Sequence, residues 1–274
     1  MSENSSKSSK KATAKRPWWL LIALPVWVYV MFFAAQMVIG MLLGVLEAVG
    51  VPLMVVGMVS LNALVALVTY IVALLVVISV PWYFFKRKTT AALMGVNDWP
   101  TTLEVLISPL AFVVYMLLTG VLVTIATNTL SVDVNQQQAL PFSQTMLVVR
   151  WQYLVAFLTM VVLAPVAEEL LFRGYLYGKL RNSFSPWLVI LVVSVAFGAA
   201  HLWAGVGAPL QWAVAIDTFA LSIVMCAARE YTGAIWVPIY MHMIKNGLAF
   251  YLLFINPEVI NQIKSAALLL VGGN

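Results

Sequence analysis

The stretch Ala164–Arg173, APVAEELLFR, places two adjacent carboxylates, Glu168 and Glu169, in the middle of a strongly apolar region. An unpaired carboxylate loses several kcal/mol of solvation free energy when it leaves water. An ionisable pair inside an apolar segment is therefore a candidate functional site with partners elsewhere in the chain. The chain has two histidines, His201 and His242, and each lies in a later apolar segment. We expect the fold to bring these three segments together.

The composition indicates an integral membrane protein. Hydrophobic residues make up 63% of the 274 residues and charged residues only 9%, whereas a soluble domain has about 25% charged residues. The net charge of +5 does not indicate nucleic-acid binding, because five of the fifteen basic residues lie in the first sixteen positions. The expected partners are the lipid bilayer and a membrane-bound substrate. The single cysteine, Cys226, excludes an intrachain disulfide.

Long apolar runs predict an all-α, polytopic bundle of seven or eight transmembrane helices. Residues 1–16 are predicted to be a disordered basic cytoplasmic tail, since they contain almost no apolar residues. Residues 17–148 then hold the N-terminal transmembrane helices, 149–255 the functional core, and 256–274 a short C-terminal helix. The predicted spans are 17–46, 53–85, 103–128, one within 150–181, 187–203, 210–228 and 233–255.

The distribution of basic residues predicts the orientation. Basic residues fall in the N-terminal tail and after the second, fourth and sixth spans, while the other connections have almost none. The positive-inside rule then places the N-terminus in the cytoplasm, and we expect a multi-pass protein of the cell membrane. His242 lies about ten residues into the seventh span from its cytoplasmic end, so we expect a site partway into the membrane from that side.

Glu168 and Glu169 are predicted to have different partners and different roles. Glu169 and Arg173 are four residues apart, so they share a helix face and can pair, while Glu168 is turned about 100° away. Pairing keeps Glu169 ionised and structural, whereas Glu168 has no built-in cation and can act as a general base toward water. The alternative is that both acids only neutralise Arg173 or lie in an aqueous extension of the helix.

Each histidine shares a helix face with one neighbour. Phe197 lies one turn before His201, and Asn246 lies one turn after His242. The midpoint between Glu168 and His201 falls in the turn SFSP, so an antiparallel hairpin places the two residues at the same level. The site is therefore expected between the fourth, fifth and seventh spans.

Glutamate, two imidazoles and an amide suffice to hydrolyse a peptide bond, because they supply a base for water, donors for the oxyanion and a proton for the leaving amine. The same groups could instead hold a divalent metal such as zinc through Glu168, His201 and His242. No HExxH motif of zinc proteases is present, and no GxSG nucleophile or intramembrane aspartate pair. These absences argue against those protease classes.

Two weaker patterns stay open. Asp217 is a further acid in the sixth span, and Lys245 could pair with it or extend toward the interface. Gly40 and Gly44 have the small-residue spacing of packed membrane helices, a common pattern in glycine-rich spans. Neither pattern by itself assigns a function.

Three motifs together resemble a known family. EELLFRG begins at Glu168, AFGAAH ends at His201, and REYTGAIWVPIYMHMIKN ends at Asn246. They are similar, in order, to the motifs EExxxR, FxxxH and HxxxN/D of the CPBP family. This family includes CAAX prenyl endopeptidases and bacteriocin-processing or self-immunity proteins. The resemblance covers Val162–Phe250, about a third of the chain, and the N-terminal helices match only in hydropathy.

The resemblance implies an α-helical membrane protease, a hydrolase in which Glu168 activates water. It implies that His201, His242 and Asn246 complete the site and that Glu169 and Arg173 support Glu168, and it leaves open a glutamic or a metal-dependent mechanism. Phe197 and Arg173 are the candidate supporting residues. The candidate catalytic residues are Glu168, Glu169, His201, His242 and Asn246.

The leading hypothesis is an intramembrane endopeptidase that cleaves a membrane-associated or lipidated, CAAX-like protein or peptide. One alternative is a catalytically inactive interaction or regulatory protein of the same family. Another is a proton-coupled transporter that uses the buried acids, although the hydropathy pattern shows no inverted repeat.

Overall fold

The structure is a computed structural model that describes residues 17–133, 140–203, 207–259 and 262. Within these ranges every regular element is helical, which confirms the predicted all-α bundle. The predicted tail 1–16 and most of the predicted helix in 256–274 lie outside the described residues. The helices are α1 Leu20–Ala48, α2 Met58–Phe85, α3 Ala91–Met94, α4 Thr102–Leu130, α5 Arg150–Arg181, α6 Pro186–Ala200, α7 Trp212–Thr232 and α8 Trp236–Phe250.

Each of the seven predicted spans is a helix, and the short α3 is an addition in the second connection. Five helices in the described part of the chain (α1, α2, α4, α5 and α7) are long and apolar enough to cross a membrane. The helix α6 is apolar but shorter, and α8 continues into a wider π-helical turn at Tyr251–Ile255. The protein is therefore an integral membrane protein, while the number of crossings stays a prediction.

The outer and inner helices differ in burial. In their most apolar stretches α1, α2 and α4 bury only 17%, 17% and 11% of their residues, against 39% in α5 and 44% in α7. Apolar side chains such as Ile22, Met41 and Leu117 are more than 60% exposed on the outer helices. These helices present the lipid-facing surface, and α5 and α7 form the interior.

The helix α5 is irregular around the carboxylates. Its 32 residues span about 48 Å, well beyond the ~30 Å hydrocarbon core. The α-helical segment Ala164–Glu169 is flanked by π-helical turns at Leu158–Leu163 and Leu170–Leu176. Pro165 has no N–H, so the regular hydrogen-bond ladder is interrupted just before the carboxylates. Single π turns of this kind are frequent at functional sites.

Two packed clusters lie on either side of the carboxylate pair. One cluster contains Leu171 and Tyr175 of α5 and joins it to α6 and α7. The other contains Ala156 and Val161 of α5 and joins it to the ends of α2 and α8. The Glu168–Glu169 pair therefore lies between two apolar layers, at the level where the core is polar.

Candidate active site

A cavity of about 340 Å³ lies inside the bundle at this level. Glu168, His201, His242 and Asn246 all line it, so the structure brings together four of the residues predicted from sequence. They come from α5, from the residue that directly follows α6, and from α8, which correspond to the fourth, fifth and seventh predicted spans. The remaining lining residues are Ala66, Tyr70, Leu140, Pro141, Thr159, Met160, Ala164, Lys245, Ala249 and Leu253.

Glu169 lies behind the cavity wall and is fully buried. Its Oε1 atom accepts a hydrogen bond from Nη1 of Arg173 at 3.0 Å, and the side chains of both residues are 0% exposed. This contact is the pair predicted from the four-residue spacing. The same Oε1 atom lies 2.9 Å from Nδ1 of His242, a contact that the sequence did not predict. Glu169 therefore holds the imidazole of His242 rather than lining the cavity.

Glu168 faces the cavity through one of its two oxygen atoms. The hydroxyl of Tyr70 donates a hydrogen bond to Oε1 at 2.9 Å. The other atom, Oε2, lies 4.0 Å from Nε2 of His242 and has no hydrogen-bond partner among the described residues. The tyrosine thus fixes one carboxylate oxygen, while the other is buried and without a hydrogen-bond partner in the described structure.

The two histidines present the same ring nitrogen to the cavity. His201 directly follows the last residue of α6, and its Nδ1 lies 2.9 Å from the carbonyl oxygen of Phe197. A carbonyl and the Glu169 carboxylate both accept, so Nδ1 is the donor in His201 and in His242. In the neutral rings Nε2 then carries the lone pair. Each Nε2 can accept a proton or a hydrogen bond from a molecule in the cavity.

The ring of Phe197 contacts both histidines and the buried guanidinium group of Arg173. Its ring centroid lies 4.8 Å from that of His201 and 5.9 Å from that of His242. The guanidinium carbon of Arg173 lies 4.3 Å from the same centroid. Arg173 is therefore held by Glu169 on one side and by the face of an aromatic ring on the other. Both residues support the site without lining it.

Asn246 links α8 to the first π turn of α5. Its Nδ2 donates a hydrogen bond to the carbonyl oxygen of Met160 at 2.9 Å. In a π-helical turn this carbonyl would accept from the residue five positions later, which is Pro165 and has no N–H. The asparagine amide supplies the missing donor. Its second N–H remains for the cavity.

Lys245 and Asp217 form an ion pair beside the cavity, which settles the alternative left open by the sequence. Nζ of Lys245 lies 3.2 Å from Oδ2 of Asp217. Oδ1 of the same carboxylate accepts hydrogen bonds from Tyr115 at 2.6 Å and Thr119 at 2.9 Å. Both donors lie on α4, so Asp217 joins α4, α7 and α8 at one point.

The predicted metal ligands do not form a preassembled site. Within the described ranges no three His, Cys, Asp or Glu side chains are grouped closely enough to hold one ion. Glu168 and His242 are 4.0 Å apart at their nearest charged atoms, wider than the roughly 3.3–3.6 Å that separates two tetrahedral zinc ligands, each about 2.0–2.2 Å from the ion. We therefore derive no catalytic step through a metal.

Comparison with known proteins finds a family model that matches the part of the chain containing the site. Residues 150–248 match the family model described as type II CAAX prenyl endopeptidase Rce1-like. The chain is 23% identical over 192 residues to the membrane-embedded CAAX protease MroQ of Staphylococcus aureus (strain USA300). The aligned region covers 65% of this chain and 74% of MroQ. No solved structure matches the chain significantly.

Two further relatives match over shorter segments. A 24.3 kDa protein of Escherichia coli is 30% identical over 93 residues, which are 33% of this chain and 40% of the relative. The putative membrane peptidase YdiL of Bacillus subtilis (strain 168) is 29% identical over 85 residues, 31% of this chain and 32% of the relative. These matches thus span less than half of the length of either relative.

Proposed function

We propose that this chain, whose residues 150–248 form a domain of the Rce1-like type II CAAX prenyl endopeptidase family, is an intramembrane endopeptidase. One observation carries the proposal: Glu168, His201, His242 and Asn246 line a single cavity within the bundle. The name of MroQ, a membrane-embedded CAAX protease, supports the same class of activity.

Glu168 is the general base of the proposed reaction. Its Oε2 atom is buried, has no hydrogen-bond partner in the described structure and lies 4.0 Å from Nε2 of His242. A separation of this size suits a water molecule that bonds to both atoms. Such a water donates one hydrogen to the carboxylate and one to the imidazole, so its oxygen lone pairs point into the cavity.

The proton follows a simple route. Glu168 takes a proton from the water while the water oxygen attacks the peptide carbonyl carbon, which gives a tetrahedral intermediate. The second N–H of Asn246 stabilises the developing oxyanion. The protonated Glu168 then gives its proton to the leaving amine as the carbon–nitrogen bond breaks. The carboxylate is regenerated, and one water molecule is consumed for each bond cleaved.

Glu169 acts through His242 and not on the substrate. Its carboxylate is 0% exposed and accepts from Nδ1 of the histidine. This contact fixes the ring orientation and keeps Nε2 directed toward the water. Arg173 pairs with Glu169 at 3.0 Å, so the buried pair maintains the geometry of the base and its water.

The substrate class follows from the location of the cavity. The site lies inside a bundle whose outer helices expose apolar side chains to lipid. A substrate held at the membrane by an anchor or a lipid group reaches such a cavity far more often than a soluble peptide, through the effective concentration that tethering supplies. We therefore assign a membrane-associated or lipidated protein or peptide as substrate, and the cell membrane as the location.

The decisive experiment compares protein termini in cells that express the full chain or its variants. Glu168→Gln keeps the side-chain shape and removes the base, and Glu47→Gln, on an exposed carboxylate of α1, is the matched control. We expect new termini in membrane proteins with the unmodified chain and with Glu47→Gln, and none with Glu168→Gln. Identical termini in all three strains would reject the peptidase. A Glu168→Gln strain that behaves as wild type in every phenotype would support the interaction protein instead.

A further inference from the structure

The cavity extends in one direction from the catalytic residues. Its wall continues from Glu168 back along α5 to Thr159 and from His242 forward along α8 to Leu253. These distances are nine and eleven residues along the helices, or about 13 and 16 Å. The wall ends at Leu140 and Pro141 in the connection between α4 and α5. All of these residues lie in the same half of the bundle.

The basic residues gather at the other end of the bundle. Arg181 at the end of α5 pairs with Glu230 near the end of α7 at 2.9 Å, and Nζ of Lys179 donates to the carbonyl oxygen of Lys88 at 2.5 Å. The ring of Trp18, just before α1, lies 5.3 Å from that of Phe184 in the turn after α5. The basic residues of this end in the described chain are Lys86, Arg87, Lys88, Lys179, Arg181 and Arg229.

The core closes the cavity toward this basic end. Leu171, Tyr175 and Leu176 of α5 are at most 2% exposed, and Met241 of α8 is 0% exposed. These side chains belong to one packed cluster that also includes residues of α6 and α7. No cavity-lining residue lies beyond Glu168 in that direction along α5. A substrate that came from the basic end would have to displace this packing.

The far end of the cavity is fixed by the connection before α5. Nδ2 of Asn62 in α2 donates to the carbonyl oxygen of Pro141 at 2.7 Å. The amide of Gln144 donates to the carbonyl oxygen of Leu253 in α8. Phe142 and Leu147 are buried in the cluster that joins α2, α5 and α8. The connection therefore forms a built rim at this end.

We propose that the substrate reaches Glu168 from the membrane face opposite the basic end. Resting on the proposed function, this assigns the substrate class: a peptide segment of a membrane-anchored protein that is exposed on the extracytoplasmic face, because lysine and arginine mark the cytoplasmic one. The cavity length of about 13–16 Å accommodates four or five residues in extended form. A lipidated tail on the cytoplasmic face has no route to the base. The sequence had predicted only the depth of the site, partway into the membrane from the cytoplasmic side.

Thiol labelling in intact cells and in inverted membrane vesicles tests the direction of access. The probe is the membrane-impermeant cation 2-(trimethylammonium)ethyl methanethiosulfonate. Ala249→Cys places a thiol on the cavity wall, Val55→Cys marks the α1–α2 connection, and Asn182→Cys marks the basic end. Cys226 is fully buried, so the unmodified chain is the background control. Each variant carries one new thiol in the full-length protein.

We expect Ala249→Cys to react from the same side as Val55→Cys, at least about tenfold faster than from the side that labels Asn182→Cys, since hydrocarbon excludes a fixed charge. Reaction from the Asn182→Cys side, from both sides equally or from neither would overturn the proposed route. The result does not depend on peptidase activity. An inactive protein with the expected labelling rejects the peptidase alone, and an active one with the opposite labelling rejects the route alone.

Discussion

Nδ1 of His242 and Oε1 of Glu169 lie 2.9 Å apart, with side chains that are 5% and 0% exposed, although 73 residues separate them in sequence. Glu169, the second of the two adjacent glutamates, therefore contacts both His242 of α8 and Arg173 of its own helix. The first, Glu168, is left free to face the cavity. The two adjacent carboxylates therefore have different surroundings: Glu168 lines the cavity, and Glu169 is buried behind it.

This relationship predicts how loss of the supporting carboxylate affects catalysis. Glu169→Gln should lower kcat about 10- to 100-fold with little change in KM, as loss of an outer partner of a working histidine does at metal sites. The reason is that the ring of His242 loses the charge that orients it. Steady-state kinetics on the purified protein measures both constants. An increase in KM with unchanged kcat would assign Glu169 to substrate binding.

The buried ion pair of Glu169 and Arg173 predicts that one pair of substitutions can restore stability without restoring activity. Glu169→Gln and Arg173→Met should each destabilise the fold by about 3–5 kcal/mol, because each leaves one buried charge without its partner. The double variant should recover a large part of this loss, yet remain as inactive as Glu169→Gln. Thermal unfolding in detergent and kinetics on the same preparations test the cycle. Additive losses of stability would show that the two charges do not interact.

The Tyr70 contact predicts a moderate effect on rate. Tyr70→Phe removes one hydrogen bond to Glu168, and a typical bond of about 0.5–1.5 kcal/mol corresponds to a twofold to roughly tenfold lower kcat. Tyr115→Phe is the matched control, since it removes a similar tyrosine–carboxylate bond from Asp217. We expect the control to keep its kcat. Equal losses in both variants would indicate a general effect on packing.

The geometry of the cavity predicts resistance to chelation. Since no three potential ligands are grouped around one point in the described chain, the purified protein should keep most of its activity after treatment with EDTA and 1,10-phenanthroline. Elemental analysis of the same sample measures residual zinc. Loss of activity that added zinc restores would make Glu168, His201 and His242 metal ligands, and Glu168 would no longer be the base.

Glycine spacing predicts a difference between two positions that look alike in sequence. A Cβ on Gly178 would collide with the backbone oxygen of Leu93, whereas one on Gly44 would meet nothing within 4 Å. Gly178→Ala should therefore cost about 1–3 kcal/mol through overpacking. Gly44→Ala should be neutral or stabilising by up to about 1 kcal/mol. Thermal unfolding of both variants checks the pair, and equal shifts would contradict the close approach of α3 to α5.

The same glycines show how far sequence reasoning reaches. The spacing of Gly40 and Gly44 suggested helix packing, but a Cβ atom added at either position would meet nothing within 4 Å. Close approaches of two helices lie instead at Gly178, where the short α3 packs on α5, and at Gly198, where α6 packs on α7. A spacing pattern shows that two small residues share one face of a helix. It does not show whether another helix packs against that face.

In the site, too, contacts between residues close in sequence could be predicted, whereas contacts between distant residues could not. The pairing of Glu169 with Arg173 was predictable because both lie on one helix, four residues apart. The contact of Tyr70 with Glu168 spans 98 residues, and a tyrosine in an apolar span carries no signal of its own. The sequence motifs identified four of the residues that line the cavity, Glu168, His201, His242 and Asn246. They did not show which carboxylate would hold the histidine.

The length of α6 has a consequence for the membrane itself. Its 15 residues, Pro186–Ala200, span about 22 Å, several ångströms less than the ~30 Å hydrocarbon core of a typical bilayer. Where α6 borders lipid, we expect the bilayer beside it to thin, at a cost of a fraction of a kcal/mol per ångström. His201 directly follows this short helix, so we expect the headgroups beside α6 to lie closer to the level of the cavity than elsewhere around the protein. A membrane-anchored peptide would then cross less hydrocarbon to reach the cavity on this side.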